Sequence, residues 1–210
     1  MTIATFVVEK WIFIILELNI LREILGIGFV RVVQNKMNTW LIADTHFGHK
    51  NIIRYCARPF TDVHQMEDII IRNWNKVVTN EDIVFHLGDF GLFLPGALTS
   101  IYYRLNGFKK FLIKGNHDKS TQQLYKMGWD AVLKEVTLKT SSGHKVLLRH
   151  KPLDTKIPEH IDFVIHGHLH DKECIIPQHL NVSVEAINYT PITSDHAIKL
   201  LLMKQRVDKV

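Results

Sequence analysis

The sequence predicts an α/β domain over residues 37–210. Two observations predict it: from Thr39 onward, short apolar runs of strand length alternate with longer stretches of helical spacing, and five of the short runs are followed, at once or after one glycine, by an Asp, Asn or His. No repeat or low-complexity linker divides this part of the chain.

Each element has its own justification. The runs at 40–43, 83–87, 111–114, 145–149 and 163–166 read as strands. Asp44 and His46 follow the first, Asp89 the second, Asn116 and His117 the third, His150 the fourth, and His168 and His170 the fifth. Residues 65–78 and 97–105 have helical spacing, with Gly107 as a stop before the next strand. Residues 181–185 alternate as a strand whose polar face can hydrogen-bond to the site, and residues 194–205 form a tail helix. Ser194 or Thr193 caps that helix, and Ile198, Leu201 and Leu202 face inward. In open α/β sheets ligands gather beyond the carboxyl ends of strands, so five strands ending in such residues predict one shared site.

Composition sets bounds. With 210 residues, 46% of them hydrophobic, the chain can bury a substantial core without disulfide help. Cys56 and Cys174 are far apart and in no CxxC arrangement, which reads as two inert thiols in a reducing, cytoplasmic setting and speaks against a structural zinc site. The formal charge of +5 favours anionic substrates without establishing nucleic-acid binding.

Residues 1–36 read differently. The apolar stretch 11–33 is interrupted by Glu17, Arg22 and Glu23, each costing about 2.5–3.5 kcal/mol at the centre of a bilayer, so no transmembrane helix is expected. Glu9 precedes the apolar run and no small-residue cleavage site follows, so no signal peptide is expected either. The segment is expected to be an accessory helix or translated upstream sequence outside the working protein. Met37, directly before the first strand, favours the latter.

The chemistry lies in five blocks. Asp44-Thr45-His46 puts an oxygen donor and an imidazole two residues apart. Gly88-Asp89 supplies a carboxylate able to bridge two ions, with a glycine that permits a close turn. Gly115-Asn116-His117-Asp118 packs an amide, an imidazole and a carboxylate into one turn. His150 adds a nitrogen donor, and Gly167-His168-Leu169-His170 adds two more. The set mixes O and N donors without thiolate, which points to Mn, Fe, Zn, Ni or Co.

The order of these blocks, from residue 44 to residue 170, resembles the calcineurin-like metallophosphoesterases, in particular their small stand-alone bacterial or phage members. The resemblance implies a sandwich of two mixed β-sheets flanked by α-helices. It implies that Asp44, His46, Asp89 and His170 hold one divalent cation and Asp89, Asn116, His150 and His168 a second, with Mn the first choice of metal. A hydroxide between the two ions would attack a phosphodiester or phosphomonoester. His117 would stabilise developing charge or protonate the leaving oxygen, oriented by Asp118. The expected substrate is a small phosphate ester or a nucleotide. A nuclease of the same superfamily and a non-catalytic metal-binding scaffold are the alternatives. Asp89 is followed by Phe90-Gly91, without the acidic and arginine motif of the protein Ser/Thr phosphatases, so protein dephosphorylation is not expected. Arg149 stands before His150 where the family often has a small residue.

Other residues invite plainer readings. His49 stands either at the site or on the surface. His86 and His166, inside predicted strands, are expected in the core or beside the ligands. His64, His144, His160, His179 and His196 are expected at the surface. Arg54 and Arg58 are read as solvated or salt-bridged, with phosphate binding as the alternative; Lys109, Lys110 and Lys114 as solubilising; and Asn73-Trp74-Asn75 as packing and capping.

Overall fold

In the computed structural model, residues 37–92, 95–140, 142–172 and 174–207 are described; the expectations for residues 1–36 lie outside them. The domain is built on two mixed sheets flanked by helices. The first sheet runs β4 (Ala131–Leu133), β3 (Lys109–Ile113), β2 (Ile83–His86), β1 (Thr39–Ile42), β9 (Ile192–Thr193). Its first four strands are parallel and β9 is antiparallel to β1. The second sheet runs β5 (Glu135–Lys139), β6 (Lys145–Arg149), β7 (Phe163–His166), β8 (His179–Asn181), with only the β5–β6 pair antiparallel. Parallel pairing sends β1, β2 and β3 out at one edge, and β6 and β7 leave together at an edge of the second sheet.

The two edges meet at Ala43. Its N–H donates to Val182 and its carbonyl accepts from Val184, so the chain leaving β1 pairs with the chain leaving β8. The pattern expected as a strand at 181–185 is thus split: β8 ends at Asn181, and the next residues bridge to the other sheet.

Helices complete the domain: α1 (Ile52–Tyr55), α2 (Val63–Val77), α3 (Pro95–Arg104), α4 (Thr121–Met127) and α5 (Ser194–Val207). The α2 helix starts two residues before its predicted start because Asp62 caps it, accepting from the N–H groups of His64 and Gln65. Its Met66, Ile70, Ile71 and Trp74 form an apolar stripe in a core shared with Ile42, Val84, Leu112, Leu98 and Met127. Trp74 also donates from Nε1 to the carbonyl of Asn106, and Asn75 caps the end of α3 by donating to the carbonyl of Arg104, so that segment does pack and cap. Thr193 caps α5 by accepting from His196 N–H, and α5 packs on β8, β9 and β1. Among the described residues no helix is long and apolar enough to cross a membrane.

Two expectations are corrected. Lys110 is buried rather than solubilising: Nζ donates to the carbonyls of Tyr102 and Leu105 at 3.1 and 2.7 Å, satisfying the carboxyl end of α3, and lies 4.0 Å from the Tyr102 ring centroid. His179 is not at the surface. It opens β8 opposite Val164 and is fully buried.

Candidate metal centre

The turn after each strand carries the donors. After β1 the chain continues beside the chain leaving β2: Asp44 N–H donates to Gly88 O, His46 N–H to Asp89 O, and Phe47 N–H to Phe90 O. Gly167 N–H donates to His150 O, so the turns after β6 and β7 are also laced together.

These turns are unusual in backbone conformation. Of the eight non-glycine residues with positive φ among the described residues, five are predicted ligands: Asp44, His46, Asp89, His168 and His170. Such conformations cost of order 1–3 kcal/mol each and persist where the surroundings enforce them. Close packing does so here. A Cβ on Gly88 would stand 2.5 Å from His150 Nδ1, and one on Gly115 would collide with the Asp89 carboxylate.

The side chains form two clusters. Asp44, His46 and His170 offer one ligand atom each within 4.8 Å of one another, and so do Asp89, His150 and His168. Asp89 Oδ2 joins them, 3.7 Å from His46 Nε2 and 3.4 Å from His150 Nε2. His46 Nε2 lies 3.9 Å from Asp44 Oδ1, and His150 Nε2 lies 3.1 Å from Asn116 Oδ1. Two donors bound at about 2.1 Å to one ion at a tetrahedral angle stand roughly 3.4 Å apart, so the 3.4–3.9 Å spacings suit shared cations, while the 3.1 Å His150–Asn116 contact is also of hydrogen-bond length. Asp44 Oδ1 and both ring nitrogens of His46 are buried without a hydrogen-bonding protein partner among the described residues. Orphaned donors of this kind are costly unless something else binds them, and the set fits divalent cations.

Neighbours fix the orientation of the donors. His150 Nδ1 donates to Leu87 O at 2.8 Å, leaving Nε2 for an ion. Asp44 Oδ2 accepts from His168 N–H and from Ser183 Oγ, which turns Oδ1 inward. The polar face expected around residues 181–185 is present: Asn181 donates to His170 O, and Glu185 Oε1 lies 3.1 Å from His170 Nδ1. His86 is buried. Its Nδ1 accepts from Gly88 N–H, so Nε2 donates to Thr45 Oγ1, which in turn donates to Phe90 O.

One role differs from expectation, and one alternative falls away. Asp118 does not turn its carboxylate to His117: its oxygens accept from the N–H groups of Asp89, Phe90 and Gly115, so it ties the Gly88-Asp89 turn to the Gly115-Asn116 turn. Arg58 is salt-bridged, as the plainer of its two readings has it, and is not free for phosphate. It is 4% exposed, pairs with Glu185 at 2.8 Å, and donates to the carbonyls of Asp44 and Thr45.

Burial governs the charges. It pushes Asp44 up to about 6 against the pull of His150 and His170, and drives His46 down to about 2 despite Asp89. Burial also opposes ionisation of Asp89, but hydrogen bonding and charge from His150 hold its carboxyl well below the usual range. His168 is lowered chiefly by burial, whereas His170 is raised because Glu185 outweighs burial.

The site opens into a cleft of about 460 Å³ lined by His46, His117, His168 and His170, and also by His49, Tyr55 and Lys172. Asn116 and His117 are exposed, and His117 N–H donates to Asp89 Oδ1. His49 therefore stands at the site, its ring 5.5 Å from that of His46. Glu185 and Arg58 were not among the predicted site residues. The alternation around residue 185 hinted at Glu185, and Arg58 was weighed only as salt-bridged or as a phosphate ligand.

The family model described as calcineurin-like phosphoesterase matches residues 37–157 and ends before the His168 block. An uncharacterized protein from Methanocaldococcus jannaschii, MJ1445, is 38% identical over 171 residues, covering 77% of this chain and 90% of that protein. The Gene 66 protein of Mycobacterium phage L5 is 34% identical over 88 residues, 39% of this chain and 40% of its own length. Among solved structures, the protein of unknown function AQ665 from Aquifex aeolicus is 30% identical with a TM-score of 0.67, covering 78% of this chain and 99% of that one.

Proposed function

Because the chain belongs to the calcineurin-like phosphoesterase family, we propose that it hydrolyses a small phosphate ester or nucleotide using two divalent cations. One observation carries this reading: a single carboxylate oxygen, Asp89 Oδ2, lies within 3.7 Å of imidazole nitrogens from two separate donor clusters.

Asp44, His46, His170 and Asp89 would hold the first ion, and Asp89, Asn116, His150 and His168 the second. Such ions supply charge neutralisation at the phosphate and a nucleophile from water near neutral pH. The O and N donors suit Mn first, with Fe, Zn, Ni or Co also accepted. His117 would protonate the leaving oxygen or stabilise its charge, a role its exposure in the lining of the cleft supports. Asp118 serves by holding both turns through their backbone. The cleft volume of about 460 Å³ supports a small substrate. The family match beginning at residue 37 supports placing residues 1–36 outside the catalytic domain, and the two free cysteines support a cytoplasmic setting.

The test is to strip the protein with chelator, return Mn, Ni, Zn or Mg singly, and measure hydrolysis of an aryl phosphodiester and the matching monoester. Metal-dependent turnover of either supports the reading. A folded, metal-loaded protein inactive on both would remove it.

A further inference from the structure

A second group of donors lies outside the centre described above. His166, at the end of β7, is fully buried. Its Nδ1 lies 2.8 Å from the carbonyl of Gly167, and since a carbonyl only accepts, Nδ1 is the donor and Nε2 carries a free lone pair. Among the described residues His166 Nε2 has no protein partner, nor has either ring nitrogen of fully buried His179. The two rings stand 5.4 Å apart. Cys174, partly buried on the connection from β7 to β8, completes the group: the three residues offer one ligand atom each within 4.8 Å of one another.

Buried nitrogens without a partner are unfavourable, and none of these three has one among the described residues. The donor set also differs from that of the first centre. It is two imidazoles and a thiol, which selects a borderline-soft ion over Mn or Mg. Arg149 is the nearby cation and opposes a bound ion, but the thiol gives up its proton to solvent on binding, and the thiolate offsets one charge.

We propose that His166, Cys174 and His179 form a separate mononuclear zinc site. A fourth donor comes from solvent at the partly exposed Cys174. The site ties the β7–β8 connection to both of its strands. That connection carries His168 and His170, so zinc here braces two donors of the first centre without touching substrate.

The test uses the full chain, stripped of metal and titrated with Co(II), whose bond to thiolate adds a near-ultraviolet charge-transfer band that N and O donors do not give. Cys56 lies beside His170 and Glu185, so it needs a control. The band is expected in the native protein, in Cys56→Ser and in Asp89→Asn, and is expected to vanish in Cys174→Ser. Its persistence in Asp89→Asn separates this site from the two-ion reading. No band in the native protein, or a band that survives in Cys174→Ser, overturns the proposal. A second measurement needs no variant: Zn(II) should slow alkylation of Cys174 in the native protein at least about tenfold, whereas Mn(II) should not. Equal rates with and without Zn(II) would also overturn it.

Discussion

His170 Nδ1 lies 3.1 Å from Glu185 Oε1, and the same oxygen takes both Nε and Nη2 of Arg58 at 2.8 Å. One buried carboxylate therefore orients an imidazole of the first donor cluster and anchors the guanidinium that grips the carbonyls of Asp44 and Thr45. Carboxylates behind metal-binding imidazoles fix the tautomer and raise ligand basicity.

Glu185→Gln should weaken the affinity of the first cluster for Mn(II) by about 10–100-fold, with activity returning at saturating metal. Competition against a chromogenic chelator reads this directly on folded protein. An unchanged affinity would show that the Glu185–His170 contact does not tune a metal ligand.

Arg58→Met should destabilise the domain by about 3–5 kcal/mol, because it leaves Glu185 as a buried charge without its cation. Two backbone carbonyls lose their donor as well. The midpoint of urea unfolding checks it, and a shift worth less than about 1 kcal/mol would mean that Arg58 is a surface residue in solution.

His117→Ala should lower turnover by about 10²–10⁴-fold while the Mn content stays as in the native protein. Loss of metal together with activity would instead make His117 a ligand.

Lys110 gives a pH signature far from the donors. Burial pushes its ammonium down to about 8 from an ordinary 10.5, with Asp130 pulling the other way. Between those values the unfolded chain binds more protons than the folded one, so stability from this group rises with pH across the window and is level below it. The stability difference between native protein and Lys110→Met, measured by denaturant at about pH 8 and about pH 10, should grow in favour of the native protein. A constant difference would contradict the burial of the ammonium.

The clustering of these side chains was legible because each follows an apolar run at once or after one glycine, so strand ends and candidate ligands could be read together at Asp44, Asp89, Asn116, His150 and His168. Part of what was missed is long-range or short, and part was readable. Arg58 looks like a helix-end arginine until Glu185, 127 positions away, is brought to it. His179 has no sequence neighbour that marks it as buried; the parallel β7–β8 register does that. The β4 strand has three residues, too few to show a period, whereas β5 does alternate, with Val136 buried between exposed Glu135 and Thr137. The α4 helix carried readable signals, a Ser120–Gln123 capping box and a stop at Gly128 with φ of 115°.

The central claim is that Asp89 joins two cations into one working site. Stripped protein reloaded with Mn(II) should bind two ions per chain and hydrolyse an aryl phosphate ester, and Asp89→Asn, folded to the same extent, should bind fewer than two and lose turnover with every metal tried. Two ions bound and native turnover in Asp89→Asn would contradict the account.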